Sequence, residues 1–431
     1  MPAHPIQVAE NSPFPIQNIP FGIFSTKGNP SLRGATVIGD WVLDLAILEH
    51  ERLFHGVLPQ GSDVFSKPTL NEFADLGGNI RQVVRESIIR TLQDPQSSLF
   101  CNATLNSRAF HRLETVSMHL PMHIPAFTDF SCFEEHVRNC FALSNIPFTP
   151  ENNFYKSPMA YNGRASSILP SGTNFPRPQG VYKNPNTGVV EYQPVHKLDY
   201  EMELGILLSK SLPHGQLLDP DTAEDYIFGF VLLNDWSARD IQFYESMPAG
   251  PFNCKAFASH ISPWVVVPEA LAGARTGPFH QAREDPPVHV RHSSLEDRSY
   301  DIAFNVFITR SGKQPVHIST SNYKHSYFTP AQCIAHRASS GCGLLNGELL
   351  GGGTVSSPES EWPDRSVARN GCLFEITRDG TREVPQTGGF YLNDSDSVTM
   401  EAWATGSENV RIGFGQLVGT VGPAVTQKWF S

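Results

Sequence analysis

The segment Gly229-Phe-Val-Leu-Leu-Asn-Asp-Trp-Ser-Ala-Arg-Asp-Ile-Gln242, continued to Lys255, holds a carboxylate, a guanidinium, an amide and an ammonium close together in sequence. Val231, Leu232 and Leu233 form a short apolar run that Asn234-Asp235 breaks, which predicts a buried strand with a carboxylate at its end. Arg239, Gln242 and Lys255 follow within a loop's reach. Such a set suits a site that binds a cation and stabilises an anion. The alternative is a polar strand end followed by a solvated surface loop.

A second carboxylate group lies in Lys197-Leu-Asp-Tyr-Glu-Met-Glu-Leu-Gly-Ile-Leu-Leu. In a strand, Glu201 and Glu203 project to the same side, where like charges repel unless water or a cation separates them. Leu198, Met202, Leu204 and Ile206 argue against a fully solvated strand. Asp129 precedes His136 by seven residues, so a helix over 130–141 would set the two near one face, two turns apart. They then line one cavity, or they are a helix N-terminal carboxylate and a surface histidine. Asp129, Glu201, Glu203 and Asp235 together offer four hard oxygen ligands without thiolates or paired histidines. That donor set favours calcium or magnesium over zinc or copper and leaves His136 as a base.

The elements that must position these groups are mostly strands. Phe21–Phe24, Ala35–Ile38 and Trp41–Leu45 read as short strands, and Ile80, Val83, Val84, Ile88 and Leu92 mark one face of a helix over 79–94. Pro121 to Pro125 reads as a linker into a larger second domain. Ile261–Val267 and Tyr300–Thr309 read as further strands, and 268–299 as a surface loop or hairpin. Thr329-Pro-Ala-Gln332 is a capping box that opens a helix ending by Gly341.

Three motifs are set aside. His50-Glu51 with His55 spaces its histidines five apart, facing away from each other on a helix. Gly351-Gly-Gly-Thr354 lacks the lysine of a phosphate-binding loop and reads as close backbone packing beside a site. Gly413-Phe-Gly415-Gln416 fails the dinucleotide pattern, and no Gly-x-Ser-x-Gly elbow occurs.

At 431 residues, with 40% hydrophobic and 17% charged residues and 34 each of Gly and Pro, the chain is a loop-rich globular protein long enough for two domains. A net charge of -11 opposes nucleic-acid and anionic-membrane partners and favours a small molecule. Seven dispersed cysteines without a CxxC pair indicate neither a disulfide framework nor a zinc site. The Pro-rich first twenty residues do not resemble a signal peptide, no apolar run has membrane length, and the final Lys-Trp-Phe-Ser lacks a peroxisomal tripeptide, so cytoplasmic location is expected.

Together, Asp129 with His136, Tyr161-Asn-Gly-Arg-Ala-Ser-Ser, Asp199-Tyr-Glu-Met-Glu203, Asn234-Asp-Trp-Ser-Ala-Arg-Asp-Ile-Gln242, Gly250-Pro-Phe with Lys255, Ser262-Pro-Trp-Val, Gly353-Thr354 and Arg411-Ile-Gly-Phe-Gly-Gln416 resemble the fumarylacetoacetate hydrolase family. Phe14–Ser25 is similar to that family's N-terminus, so the resemblance spans nearly the whole chain. It implies an α+β, mainly β protein: a small SH3-like N-terminal barrel at 1–121, then a large mixed β-roll at 122–431. It also implies a homodimer that hydrolyses a carbon–carbon bond in a β-diketo acid. By resemblance, Asp129, Glu201, Glu203 and Asp235 are metal ligands, and Lys255 and Ser259 stand where some members hold a second cation. His136 corresponds to the water-activating base and Glu375 to the carboxylate orienting it. Arg239, Gln242 and Lys255 correspond to the groups that stabilise the oxyanion and carbanion, and Tyr161 and Thr354 to substrate contacts.

The pattern departs at three places. Ser131 and Ser246 replace tyrosines and Asn145 replaces an arginine. Losing two phenols and a guanidinium enlarges the pocket and lowers its positive charge, which implies retained chemistry on a larger or less acidic β-diketone. Two other classes share these residues: a metal-dependent decarboxylase or lyase on a β-keto acid, and a non-catalytic ligand-binding homologue.

Overall fold

The strand that ends in Asp235 runs over Ile227–Asp235 and is buried along its whole length. Its apolar residues do not alternate with polar ones, as expected of a strand covered on both faces. In this computed structural model, which describes residues 2–149, 153–185, 187–279, 286–358, 360 and 366–426, it lies within a seven-stranded mixed sheet. The strand order is 159–163, 127–131, 349–351, 202–208, 227–235, 259–261, 168–170. A second sheet of five strands is ordered 316–322, 302–309, 397–405, 411–422, 174–176. Strand Ile302–Thr309 alternates buried and half-buried residues, so one face packs inward.

Before residue 120 the chain forms a separate five-stranded antiparallel sheet, ordered 110–112, 41–44, 29–38, 21–26, 116–119. The helix expected near 79–94 spans Gly78–Gln93 and buries Val84, Ile88 and Leu92. This N-terminal unit leans on the strand that delivers Asp235. Arg81 pairs with Glu269 at 2.7 Å and donates to the Ile227 carbonyl at 3.0 Å, and Phe21 exchanges backbone hydrogen bonds with Val265 at 3.0 and 2.7 Å.

Three local expectations change. Ile261–Val267 is not one strand: Ser259–Ile261 pairs in the sheet, then Val265 and Val266 bridge to Phe21 and Phe230. The 268–299 segment is less superficial than its composition suggests. Pro268–Ala274 is a 3-10 helix burying Leu271, and Arg275–Thr276 pairs with Ser299–Tyr300; residues 280–285 lie outside the described residues. Asp129 sits on strand Phe127–Ser131, and the helix begins only at Glu134. The capping box forms as expected, with Gln332 N–H donating to Thr329 Oγ1 at 3.1 Å and Thr329 N–H to Gln332 Oε1 at 2.9 Å. Among the described residues no helix is long and apolar enough to cross a membrane. The C-terminal tripeptide lies outside them.

Candidate active site

Sheet register gathers the carboxylates. Asp129 pairs directly with Tyr161 on one side and Gly351 on the other, and Asp235 pairs with Ser259. Directly opposed residues in neighbouring strands project from the same face. Oxygens of Asp129, Glu201 and Asp235 lie within 4.8 Å of one another in a buried cluster. Tyr161 OH donates to Asp129 Oδ2 at 2.8 Å and to Asp235 Oδ2 at 2.5 Å, and Ser259 Oγ to Asp235 Oδ1 at 3.0 Å.

Lys255 Nζ donates to Asp235 Oδ2 at 2.7 Å and to Glu201 Oε2. Burial would strip the Lys255 proton, but Asp235 and Glu201 outweigh it and raise its pKa. The charged ammonium therefore has no lone pair for a second cation, and only the main-chain carbonyl of Lys255 is a donor. Arg239 is held from two sides, by Asp199 Oδ2 at 2.9 Å from Nε and by Glu201 Oε1 at 2.9 Å. Gln242 Oε1 accepts from Arg239 at 2.9 Å, so the amide fixes the guanidinium.

Five buried carboxylates (Asp129, Asp199, Glu201, Glu203, Asp235) thus face two buried cations, Arg239 and Lys255. Burial, then Asp235, pushes the Asp129 carboxyl well up; burial, then Asp129, does the same to Glu203. At Glu201 burial acts upward but Lys255 and Arg239 prevail, holding it below the ordinary carboxylate range. The crowding is what a divalent cation relieves. Asp129 Oδ1 is buried and lacks a hydrogen-bond partner. A Cβ built on Gly351 would meet that oxygen at 2.3 Å and Glu203 Oε2 at 2.6 Å, so the glycine keeps open the space these two oxygens share. Glu203 Oε2 also accepts from the Gly353 N–H at 3.1 Å. An unsatisfied oxygen, hard donors and a cleared space fit calcium or magnesium. The glycine run at 351–353 is thus the close packing beside a site that its sequence suggested.

His136 and Glu375 meet close by. His136 Nδ1 lies 2.7 Å from Glu375 Oε2, and both are buried. Glu375 also accepts from Ser356 Oγ at 2.8 Å, Asn139 at 2.8 Å and Asn370 at 3.2 Å. Burial opposes ionisation of Glu375, but His136 and these donors lower its pKa. His136 feels burial downward, yet Cys140 and Glu375 carry its pKa well above the ordinary imidazole value. The imidazole also helps hold Glu201 ionised, so the dyad and the carboxylates share one electrostatic environment. A divalent cation at the carboxylates would oppose that positive charge, and the neutral imidazole could then take a proton from a polarised water.

Asp199 links the two parts. Besides holding Arg239 it accepts from the Leu373 and Phe374 N–H groups at 2.7 and 2.9 Å, which fixes the turn carrying Glu375. Its signal was its place two residues before Glu201. A cavity of about 370 Å³ opens beside the cluster, walled by Phe127, Tyr161, Arg164, Pro251, Phe252 and Lys255.

The remaining sequence-selected residues are more dispersed. Thr354 is buried, its Cγ2 2.6 Å from a Cβ built on Gly371. Ser131 is half-buried beside Gly353, and Ser246 follows helix Arg239–Glu245 with its Oγ buried and unpartnered. Asn145 is exposed after helix Glu134–Leu143 with φ 56°, its N–H bonded to the Ala142 carbonyl and that of Ile146 to Phe141. Asparagine tolerates this left-handed helix stop. His50 is exposed and takes no part in the site.

The chain matches two family models end to end: the fumarylacetoacetase N-terminal model over residues 17–121 and the fumarylacetoacetate hydrolase C-terminal model over 126–422. It belongs to the fumarylacetoacetate hydrolase family. Its relatives include the human fumarylacetoacetase, 37% identical over 430 residues, covering 97% of this chain and 99% of the relative. The Arabidopsis thaliana fumarylacetoacetase is 37% identical over 425 residues (97% and 98%), and that of Aspergillus fumigatus 39% over 432 residues (97% and 98%). Among solved structures, fumarylacetoacetate hydrolase from Exiguobacterium antarcticum superposes with a TM-score of 0.50 at 15% identity, covering 94% of this chain and 99% of that one, and shows the shared fold. Membership places the chain among the metal-dependent hydrolases of carbon–carbon bonds.

Proposed function

We propose that this family member hydrolyses a β-diketo acid or 1,3-diketone, with His136 activating water. The observation that carries the reading is the 2.7 Å contact between His136 and Glu375 beside the carboxylate cluster. Calcium or magnesium held by Asp129, Glu201, Glu203 and Asp235 would polarise the diketone oxygens. Glu375 keeps the proton on Nδ1, which leaves Nε2 to take one from water. Arg239, locked by Asp199, Glu201 and Gln242, and Lys255, held protonated, supply positive charge for the tetrahedral oxyanion and the departing carbanion. Tyr161, kept a neutral phenol by burial and then by Asp129 and Asp235, and Thr354 serve as substrate contacts. A second cation near Ser259 and the Lys255 carbonyl belongs to the same reading.

Ser131 and Ser246, in place of two phenols, favour a larger or less acidic diketone, of polyketide-like character, over fumarylacetoacetate. A division at 121/122, a homodimer and a cytoplasmic location complete the proposal; the separate first sheet supports the division, and seven free thiols suit a reducing compartment. The test is turnover of acylpyruvates and 1,3-diketones by the purified protein with magnesium or calcium, products identified by mass spectrometry. Two carbonyl-containing fragments with one water added, lost in His136→Ala, support hydrolysis. Carbon dioxide release supports the decarboxylase class, and inertness across the panel despite tight metal binding supports a ligand-binding homologue.

A further inference from the structure

Two thiols lie against the His136–Glu375 pair. Cys140 Sγ is 3.5 Å from His136 Nε2 and 3.8 Å from Nδ1, one helical turn beyond the histidine. Cys372 Sγ, at the start of the turn carrying Glu375, is 3.2 Å from Glu375 Oε2. Ligand atoms of His136, Cys372 and Glu375 lie within 4.8 Å of one another. Both cysteines are free.

The donor chemistry differs from that of the neighbouring cluster, which has oxygens alone. Thiolate and imidazole select soft and borderline ions, whereas carboxylates select hard ones. A tetrahedral zinc site with bonds of roughly 2.0–2.3 Å separates its ligand atoms by roughly 3.5 Å. For an ion bonded to Nδ1, the Cys140 sulfur stands 3.8 Å from that nitrogen and the Cys372 sulfur 3.2 Å from Glu375 Oε2, both near that separation, and the 2.7 Å imidazole–carboxylate contact must open by less than one bond length. The cysteine spacing in sequence, 232 residues apart, conceals the pairing (372 against 140).

We propose that Cys140, His136, Cys372 and Glu375 form a second cation site, selective for a thiophilic divalent ion of the zinc class. Binding displaces the Sγ protons of both cysteines and the proton on the bound imidazole nitrogen, all of which leave to solvent, and occupies that nitrogen's lone pair. Magnesium or calcium then occupies the oxygen cluster and zinc the thiols, through separate ligand sets. The inhibitory consequence, that zinc removes the base, rests on the hydrolase reading; the binding itself does not.

Cobalt(II) is the probe, because a thiolate ligand gives it a near-ultraviolet charge-transfer band that oxygen ligands do not. Full-length protein saturated with magnesium is titrated with cobalt. The expected result is a band saturating at one cobalt per chain, discharged by zinc. Cys140→Ser and Cys372→Ser each weaken cobalt binding at least tenfold, while Cys101→Ser and Cys342→Ser, at exposed thiols, leave the band intact. Circular dichroism establishes that each variant is folded; if Cys372→Ser does not fold, Cys140→Ser decides alone. Absence of the band in the unmodified protein, an unchanged cobalt affinity in Cys140→Ser, or loss of the band in Cys342→Ser overturns the proposal. Because no substrate is used, a protein inert toward diketones still decides it.

Discussion

His136 Nδ1 lies 2.7 Å from Oε2 of Glu375, a residue 239 positions further along the chain. The contact fixes both the ring orientation and the nitrogen that carries the proton. His136→Ala should therefore lower kcat by roughly a thousandfold, and Glu375→Gln by about a hundredfold, with KM little changed. Glu375 favours the imidazolium, so its removal lowers the His136 pKa. The rising acid limb of the pH–rate profile should accordingly move to lower pH in Glu375→Gln. A limb that stays in place would assign it to another group.

Asp129 and Asp235 share one phenol donor and repel each other. Asp129→Asn retains an acceptor for Tyr161 and removes a charge. Without metal the variant should melt at or above the temperature of the unmodified protein. With magnesium at about 100 times Kd the unmodified protein should gain about 2.7 kcal/mol, and the variant much less. Thermal melts across a magnesium titration, after chelator treatment, check both signs.

Gly351→Ala introduces a methyl 2.3 Å from Asp129 Oδ1 and 2.6 Å from Glu203 Oε2. Both carboxylates must swing away from the space they share. Magnesium affinity should fall at least tenfold, on the scale of a lost oxygen ligand, while the far-ultraviolet spectrum is retained. Isothermal titration measures it; unchanged affinity would show that the ion does not sit between those two oxygens.

What the sequence reveals about the site follows the range of the interactions. Asp235 was legible as a strand end because an apolar run stops at Asn234, and Glu201 with Glu203 because the period of a strand puts them on one side. Asp129 was selected through a helical-face argument although it stands on a strand, because Phe127–Ser131 is short and its partner strands lie far off in sequence. Asp199 and Gly351 each carried a weak local signal, a place two residues before Glu201 and a glycine run, but their roles as bridge and spacer depend on strand order or on contacts across more than a hundred residues, such as Asp199 with Leu373. Cys140 stands one helical turn from His136, whereas Cys372 reaches the pair only across the fold. The resemblance, not the periodicity, brought Glu375 to His136.

Asn145 separates fold from specificity among the three departures. It occupies a left-handed helix stop and is exposed, so Asn145→Arg should cost about 1 kcal/mol through loss of a residue that tolerates that conformation. Ser246→Tyr and Ser131→Tyr instead restore the two phenols that the family pattern carries at these positions. The double variant should lower kcat/KM for bulky diketones at least tenfold relative to a small acylpyruvate. Competition between the two substrates, with products quantified, measures the shift; an unchanged ratio would remove these serines from the specificity argument.

His260 accepts from Trp236 Nε1 at 2.8 Å and lies 2.9 Å from the Thr173 carbonyl, beside strand Ile227–Asp235. Its burial brings its pKa down to about 4. In the unfolded chain the imidazole titrates near 6.5, so below that pH the unfolded state binds a proton that the folded state refuses. Stability is complete above about pH 6.5 and is lost as pH falls toward 4. Between pH 7 and 5 this one residue should cost about 2 kcal/mol. His260→Gln keeps an acceptor for Trp236 and cannot titrate. Urea denaturation at both pH values should therefore show the unmodified protein losing about 2 kcal/mol more than the variant, and equal losses would mean that His260 binds a proton while folded.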